Sequence, residues 1–333
     1  MMTLEEVAKR AGVSSATVSR VLNNAGKVRP TTRKRVLEAV RELRYHPNVH
    51  AKALAGAKSR TLGMIVSNLK NPYFVDIFGS LEAAADRHGY EVVVESTGYN
   101  TQRLAASVRS MLGRRLLGLS VIVSEMDDSL IEELTESRLP VVFHDVGRAT
   151  PNAAHITVDW EKPMQKTVEY LYSLGHRRMA FVGHHTGLAS LQARRQAFLN
   201  ALEHYSHSVE FGTEADVDSP EGGRLATRRL LATGFEPTAI LCVNDFMALG
   251  VLRELQSRGL SVPRDVSVTG FDNINLSEFT NPPLTTVNVP RERIGRLVFE
   301  ALAPQEGQRV SSHEIVVHPE VVIRDSTAPA KTP

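Results

Sequence analysis

The chain has 333 residues, 42% of them hydrophobic and 23% charged, with a net charge of +2 and one cysteine, Cys242. That length accommodates two or three domains with their own cores, and the composition is globular rather than disordered or fibrous. One cysteine excludes an intrachain disulfide, no stretch reaches the roughly 18–20 apolar residues that cross a bilayer, and the N-terminus "MMTLEEVAKRAG", with acidic residues and no long apolar run, does not read as a secretory leader; a cytoplasmic protein is expected.

The small net charge conceals an asymmetry. Residues 1–60 hold 13 Lys/Arg against 4 Asp/Glu, so the remainder of the chain is acidic. A basic head on an acidic body suits a polyanion-binding module joined to a separate domain. Within the head, Thr3 can cap a helix whose apolar positions Leu4, Val7, Ala8 and Ala11 have helical spacing. Gly12 allows a left-handed turn, and Ser14 can cap a second helix. That helix has a thin apolar stripe (Val13, Val18, Val21, Leu22) and an opposite face of small polar residues with Arg20. Thr31 or Thr32 is expected to open a third helix, with Val36, Leu37, Val40 and Leu43 inward, Arg33, Lys34, Arg35, Arg41 and Arg44 outward, and Pro47 at its end. Three short helices, the first two joined by a glycine turn, define a helix-turn-helix whose second helix enters the major groove of DNA.

"TLEEVAKRAGVSSATVSRVLN" resembles the N-terminal signature of the lactose/galactose repressor family of bacterial transcription regulators, and the likeness extends along nearly the whole chain. The resemblance implies that Ser15 and Ala16 read bases and that Arg20 supports readout at a guanine. It assigns Thr17, Ser19, Asn23 and Arg33 to phosphates, which fix register without carrying sequence information. In "NVHAKALAGAKSR", Asn48 can cap a short helix through Leu54, with Gly56 past its end. In the family this hinge helix forms on the operator, and Leu54 would be the wedge that kinks the minor groove. The head is thus residues 1–47 and the hinge and linker 48–60.

From residue 61 onward, β-rich apolar runs ("TLGMIVS", "YEVVVES", "GLSVIVS", "PVVFHD", "HITVD", "RMAFVG", "AILCV", "VSVTGF") alternate with amphipathic stretches at 73–88, 101–115, 160–174, 189–204 and 244–257. Alternation of this kind predicts parallel sheets covered by helices on both faces, here two doubly wound lobes of about four strands each. The resemblance implies a periplasmic-binding-protein-like body with the chain crossing between lobes three times. Its lobes would be residues 61–159 with 288–318, and 160–287 with 319–333. Ligands of such sheets bind beyond the C-terminal strand ends, here in the cleft between lobes.

The residues after each strand are therefore the effector candidates. Tyr73 and Phe74 are stacking surfaces; Asp145, Ser190, Arg194, Asn244 and Asp272 are polar contacts, and Asp245 lies beside Asn244. Arg194 best matches a ligand-binding arginine of the family. Two departures stand out: the loop "GLASLQARRQAF" is one residue longer than usual, and Asp218 stands where several relatives place an aromatic lid over the ligand. Carboxylates with an arginine and an asparagine beside an aromatic wall suit the hydroxyls of a sugar or sugar acid.

There is no Walker loop, GxGxxG, HExxH or GxSxG, and the pairs His184/His185 and His204/His207 lack a third metal ligand nearby in sequence. Neither an enzyme, a metal nor a cofactor is expected. The short tail after "VVIRDS" has no leucine heptads, so the expected unit is a homodimer reading a palindromic operator, controlled by a sugar-like effector. The alternatives are control of the same fold by a purine, a nucleoside or a protein partner, and a cytosolic small-molecule binding protein.

Overall fold

The computed structural model describes residues 2–22, 26–45, 59–146, 150, 152–184, 189–303 and 314–331. The chain divides into two compact units, Met1–Ser59 and Arg60–Pro333.

In the first unit, α1 (Leu4–Ala11) begins with a reciprocal capping box. Glu6 N donates to Thr3 Oγ1 (3.3 Å) while Thr3 N donates to Glu6 Oε2 (2.6 Å), so two orphan donors of the first turn are satisfied at once. Gly12 ends the helix at φ 62°, a conformation that costs a glycine little. Ser14 caps α2 (Ser15–Leu22) by accepting from Thr17 N at 3.3 Å. The third helix, α3 (Pro30–Glu42), starts earlier than the threonines suggested. Pro30 occupies its first turn, where the missing N–H is no loss, and Arg29 precedes it without a side-chain cap. Its end also differs: Leu43 is the C-cap and Arg44 turns left-handed (φ 47°), so the helix stops before Pro47, which lies outside the described residues. Val7, Ala8, Ala11, Val18, Val21 and Val36 form the small core, joined by Ala39 and Tyr45. Leu37, expected inward, is exposed because Ala39 takes the facing position beside Val36.

The second unit opens with β1 (Thr61–Val66), α4 (Pro72–Arg87), β2 (Glu91–Ser96), α5 (Thr101–Leu112), β3 (Gly118–Ile122), α6 (Asp128–Glu136), β4 (Val141–His144) and β5 (Ala153–Val158). It continues through α7 (Glu161–Ser173), β6 (Arg178–His184), α8 (Ala189–Glu203), β7 (Glu210–Asp216), α9 (Pro220–Ala232), β8 (Ala239–Cys242), α10 (Asp245–Ser257) and β9 (Ser267–Thr269). A 3₁₀ turn (Asn275–Glu278), β10 (Thr286–Asn288), α11 (Arg291–Leu302), β11 (Glu314–Val317) and β12 (Glu320–Val322) follow.

About four strands are expected in each lobe; the sheets are unequal, and the first is larger than expected. The first is six-stranded and parallel, in the order β11-β5-β4-β3-β1-β2, and the second is four-stranded and parallel, β7-β6-β8-β9. β10 and β12 pair antiparallel as a ribbon. The strands that the apolar pattern missed have physical reasons to be silent. β7 is a sheet edge with the polar sequence EFGTEAD and only partial burial, and β10 and β12 are three residues each. Central strands such as β3 and β4 are buried at every position and read as continuous apolar runs.

Two glycines set a close approach that shapes the cleft. A Cβ on Gly223 of α9 would fall 2.0 Å from the Met247 carbonyl oxygen, and one on Gly250 of α10 would fall 1.7 Å from that of Pro220. Backbone contact between α9 and α10 brings their N-terminal ends together, with Asp218 and Ser219 beside Asn244.

Candidate functional site

Two sets of residues stand out, one in each unit. In the head, Val18 and Val21 are the buried side of α2, which leaves Ala16 and Arg20, one turn apart, exposed on the other side. Ser15, Thr17 and Ser19 are half-buried along that face, and the Thr17 hydroxyl lies 3.0 Å from that of Ser14. Arg33, Lys34, Arg35 and Arg41 are exposed on α3. A short helix showing small side chains and an arginine admits close approach to base edges, and the exposed basic residues suit phosphates. Asn23, Leu54 and the hinge helix lie outside the described residues.

In the body, the strand-end residues of both sheets converge. After β4, Asp145 adopts φ 55° and its carboxylate accepts from Val158 N (2.8 Å) and Trp160 Nε1 (3.1 Å). Trp160 precedes α7; the Arg194 guanidinium lies 3.8 Å from its ring centroid and the Phe271 ring 5.2 Å away. Arg194 also donates to the Val243 carbonyl at 3.5 Å. Tyr73 and Phe74, in the first turn of α4, are buried edge-to-face, and the Tyr73 hydroxyl is 3.0 Å from His144 Nε2. Burial pushes the Tyr73 hydroxyl well above its ordinary pKa and holds the His144 ring below its own, so both are neutral.

Asp272, expected in this group, is buried at φ 102°, and its Oδ1 has no hydrogen-bond partner among the described residues. Burial pushes its carboxyl well above the ordinary carboxylate value, against the pull of Arg194. Arg291, at the start of α11, donates to the carbonyls of Asp272 and Asn273 and to Asp76 Oδ2 (2.9 Å). This guanidinium braces two consecutive left-handed residues and so orients the Asp272 carboxyl.

Asp218 is a hub. It accepts from Asn68 Nδ2 (3.0 Å), Asn71 Nδ2 (3.1 Å), Tyr99 OH (2.7 Å) and Asn244 Nδ2 (2.8 Å). Asn244 spends its carbonyl on capping α10 through Met247 N (2.8 Å). Asp245 belongs to the structure of the body: it is fully buried, accepts from Thr286 Oγ1 (2.6 Å) and Ile274 N (2.8 Å), and burial raises its pKa to about 7. Ser190 falls in the first turn of α8, and its side chain lies outside the described residues.

The strand-end rule missed Asn68, Tyr99 and Glu125. They follow β1, β2 and β3, so the rule itself reaches them when applied to every strand. Glu125 is buried, with Oε2 accepting from Ser67 Oγ (2.6 Å) and Ser124 N (3.1 Å) and Oε1 accepting from Thr97 Oγ1. Among the described residues there is no group of three His, Cys, Asp or Glu placed to hold a metal ion, and no helix is long and apolar enough to cross a membrane.

A helix-turn-helix head joined to a body of two parallel sheets is the architecture of a transcription regulator. Residues 3–48 match the model of bacterial regulatory proteins of the lacI family, and residues 168–327 match the periplasmic-binding-protein-like domain. The HTH-type transcriptional repressor PurR of Vibrio cholerae is 34% identical over 330 residues, 98% of each chain, and that of Mannheimia succiniciproducens 34% over 334 residues, again 98% of each. The lac repressor dimer bound to operator and an anti-inducer superposes with a TM-score of 0.83 at 32% identity over 98% of this chain and 99% of that one. A CelR–cellobiose complex gives 0.65 at 27% identity, over 98% of this chain and all of that one. The chain belongs to the lacI family of bacterial regulatory proteins and is a DNA-binding transcriptional repressor with a periplasmic-binding-protein-like body.

Proposed function

We propose that this repressor binds a two-fold symmetric operator as a homodimer and is controlled by a small polar molecule, a sugar or sugar derivative, held between the two sheets of the body. Ser15, Ala16 and Arg20 read bases; Thr17, Ser19, Asn23 and Arg33 hold phosphates; Leu54 is the minor-groove wedge. The lobes follow the boundaries 61–159 with 288–318 and 160–287 with 319–333, with 48–60 as hinge. Dimerisation is supported by exposed apolar residues, Phe279 at 81%, Leu276 at 49% and Val75 at 44%, which a monomer leaves in water. The protein works in the cytoplasm, where its DNA is, and carries out no chemistry on its ligand.

The observation that carries the effector assignment is the buried Asp272 carboxyl, whose Oδ1 has no partner among the described residues, within electrostatic reach of Arg194, Tyr73 and Asp218. Burial favours the protonated form of this carboxyl, which offers a donor and an acceptor to hydroxyls; Arg194 adds a cation, and Trp160 supplies a flat apolar wall. Asn244 and Asp145 complete the polar rim, and the cellobiose-bound relative places a sugar on this fold. A second reading, a purine base or nucleoside, is favoured by the same donor–acceptor pair, which fits the N–H and C=O edge of a heterocycle. A thermal-shift panel of sugars, sugar acids, purines and nucleosides separates them, since a ligand of the folded state raises the melting temperature by mass action. Stabilisation by sugars or their acids, abolished in Arg194→Ala and Asp272→Ala while operator binding persists, is the expected result. Stabilisation by purines alone establishes the second reading, and a response intact in both variants overturns the cleft assignment.

A further inference from the structure

The two sheets of the body are joined across their strand ends by one carboxylate. Asp218 follows β7 of the second sheet, and three of its four side-chain donors come from loops of the first: Asn68 after β1, Asn71 at the start of α4 and Tyr99 after β2. The fourth, Asn244, comes from its own side. Two of these donors are held rigidly. Asn71 and Asn244 are the N-caps of α4 and α10, each using its carbonyl on its own helix and leaving its amide N–H₂ for Asp218. Asp218 is itself one residue before Ser219, the N-cap of α9. Three helix N-termini therefore meet beside one buried carboxylate, which is 6% exposed. Tyr99 adds a contact of its own: its ring lies 4.6 Å from that of His184, at the end of β6 in the second sheet.

We infer that Asp218 is a built-in latch that holds the two lobes closed through the chain's own groups, so that the effector controls this repressor by competing with the latch rather than by supplying the closing contacts. A carboxylate with four donors closes the cleft unaided. Charge-assisted bonds from three first-sheet donors favour the closed state by on the order of a hundredfold or more. The latch also defines what competes with it: a ligand whose own oxygens can take the amide and hydroxyl donors of Asn68, Asn71, Tyr99 and Asn244.

The inference rests on the cleft being the effector site, yet its test uses no effector. Trp160 is the only tryptophan, and it reports closure, because it bonds to Asp145 beside the first sheet and packs against Arg194 and Phe271 beside the second. In dialysed full-length protein, Asp218→Ala should shift Trp160 emission to the red, increase its quenching by acrylamide, and raise the radius of gyration in small-angle X-ray scattering. A second variant removes cross-lobe donors without touching the hub or the cap: Asn71→Ser with Tyr99→Phe, where serine still caps α4. It should show the same changes in smaller degree, and it decides the matter if Asp218→Ala does not fold. Wild-type emission, quenching and radius in the folded variants overturn the latch, whatever the melting temperature does. Failure of the effector assignment is separate: the thermal-shift panel would then be silent while the latch variants still open.

Discussion

The head and the cleft use polar residues in opposite ways. On α2, Arg20 is turned outward beside the small Ala16, and Val18 and Val21 form the buried face. In the cleft, Asp218 and Glu125 are buried with their oxygens spent on neighbouring loops, and Asp272 and His144 are equally buried, with Asp272 Oδ1 and His144 Nδ1 lacking a partner among the described residues. The head is a surface waiting for a polyanion, so its affinity is set by what it meets. Around Asp218 the cleft already has internal partners, so a ligand there must exchange with existing bonds. Mutations in the head should therefore change binding and leave stability almost untouched, whereas mutations in the cleft should change stability and conformation together.

The largest departure from this contrast should come from Asp245. Its folded pKa of about 7 lies above its unfolded value near 4, so the protonated form favours the folded state. That stability is fully present below about pH 4 and is lost as pH rises to about 7, an effect of up to about 4 kcal/mol for three pKa units. Asp245→Asn keeps an acceptor for Ile274 N and can donate to Thr286 Oγ1, so its melting temperature relative to wild type should rise across that pH window. Parallel curves for the two proteins would show that Asp245 is charged in the fold.

Gly250→Ala tests the helix contact behind the cleft. With Pro220 O in the way, α9 and α10 must separate, which should cost about 1–3 kcal/mol and lower the melting temperature of the body by several degrees. Arg20→Ala should have the opposite profile: about 1–3 kcal/mol lost from specific operator binding, with little change in melting temperature. Loss of Arg20 without effect on discrimination between operator and unrelated DNA would reduce it to a phosphate contact. The smallest effect is expected from Thr3→Ala, which removes the capping box of α1 at a cost of about 1 kcal/mol to the head alone.

The same contrast explains what the sequence made legible. The head could be read almost residue by residue, because caps, a glycine turn and a 3.6-residue stripe are local signals. Its misreadings were local too: Pro30 rather than Thr31 or Thr32 opens α3, and Ala39 rather than Leu37 faces the core. In the body, alternation identified the parallel sheets and most helices, but the polar edge strand β7 left no apolar run to find. The cleft was legible only as a set of strand-end positions. That Asp218 meets Asn68, Asn71 and Tyr99, 119 to 150 residues away in the chain, is a product of topology that no spacing encodes. The φ of 102° at Asp272, held by Arg291, is equally non-local.

The most direct test of the whole account is selection of genomic DNA fragments by the full-length protein, followed by sequencing, at two salt concentrations. The account predicts enrichment of fragments sharing a two-fold symmetric motif, with affinity falling steeply as salt rises because phosphate neutralisation releases counterions. Fragments retained without a common motif, or binding indifferent to salt, would contradict a dimeric repressor that reads bases with α2 and phosphates with the basic residues around it.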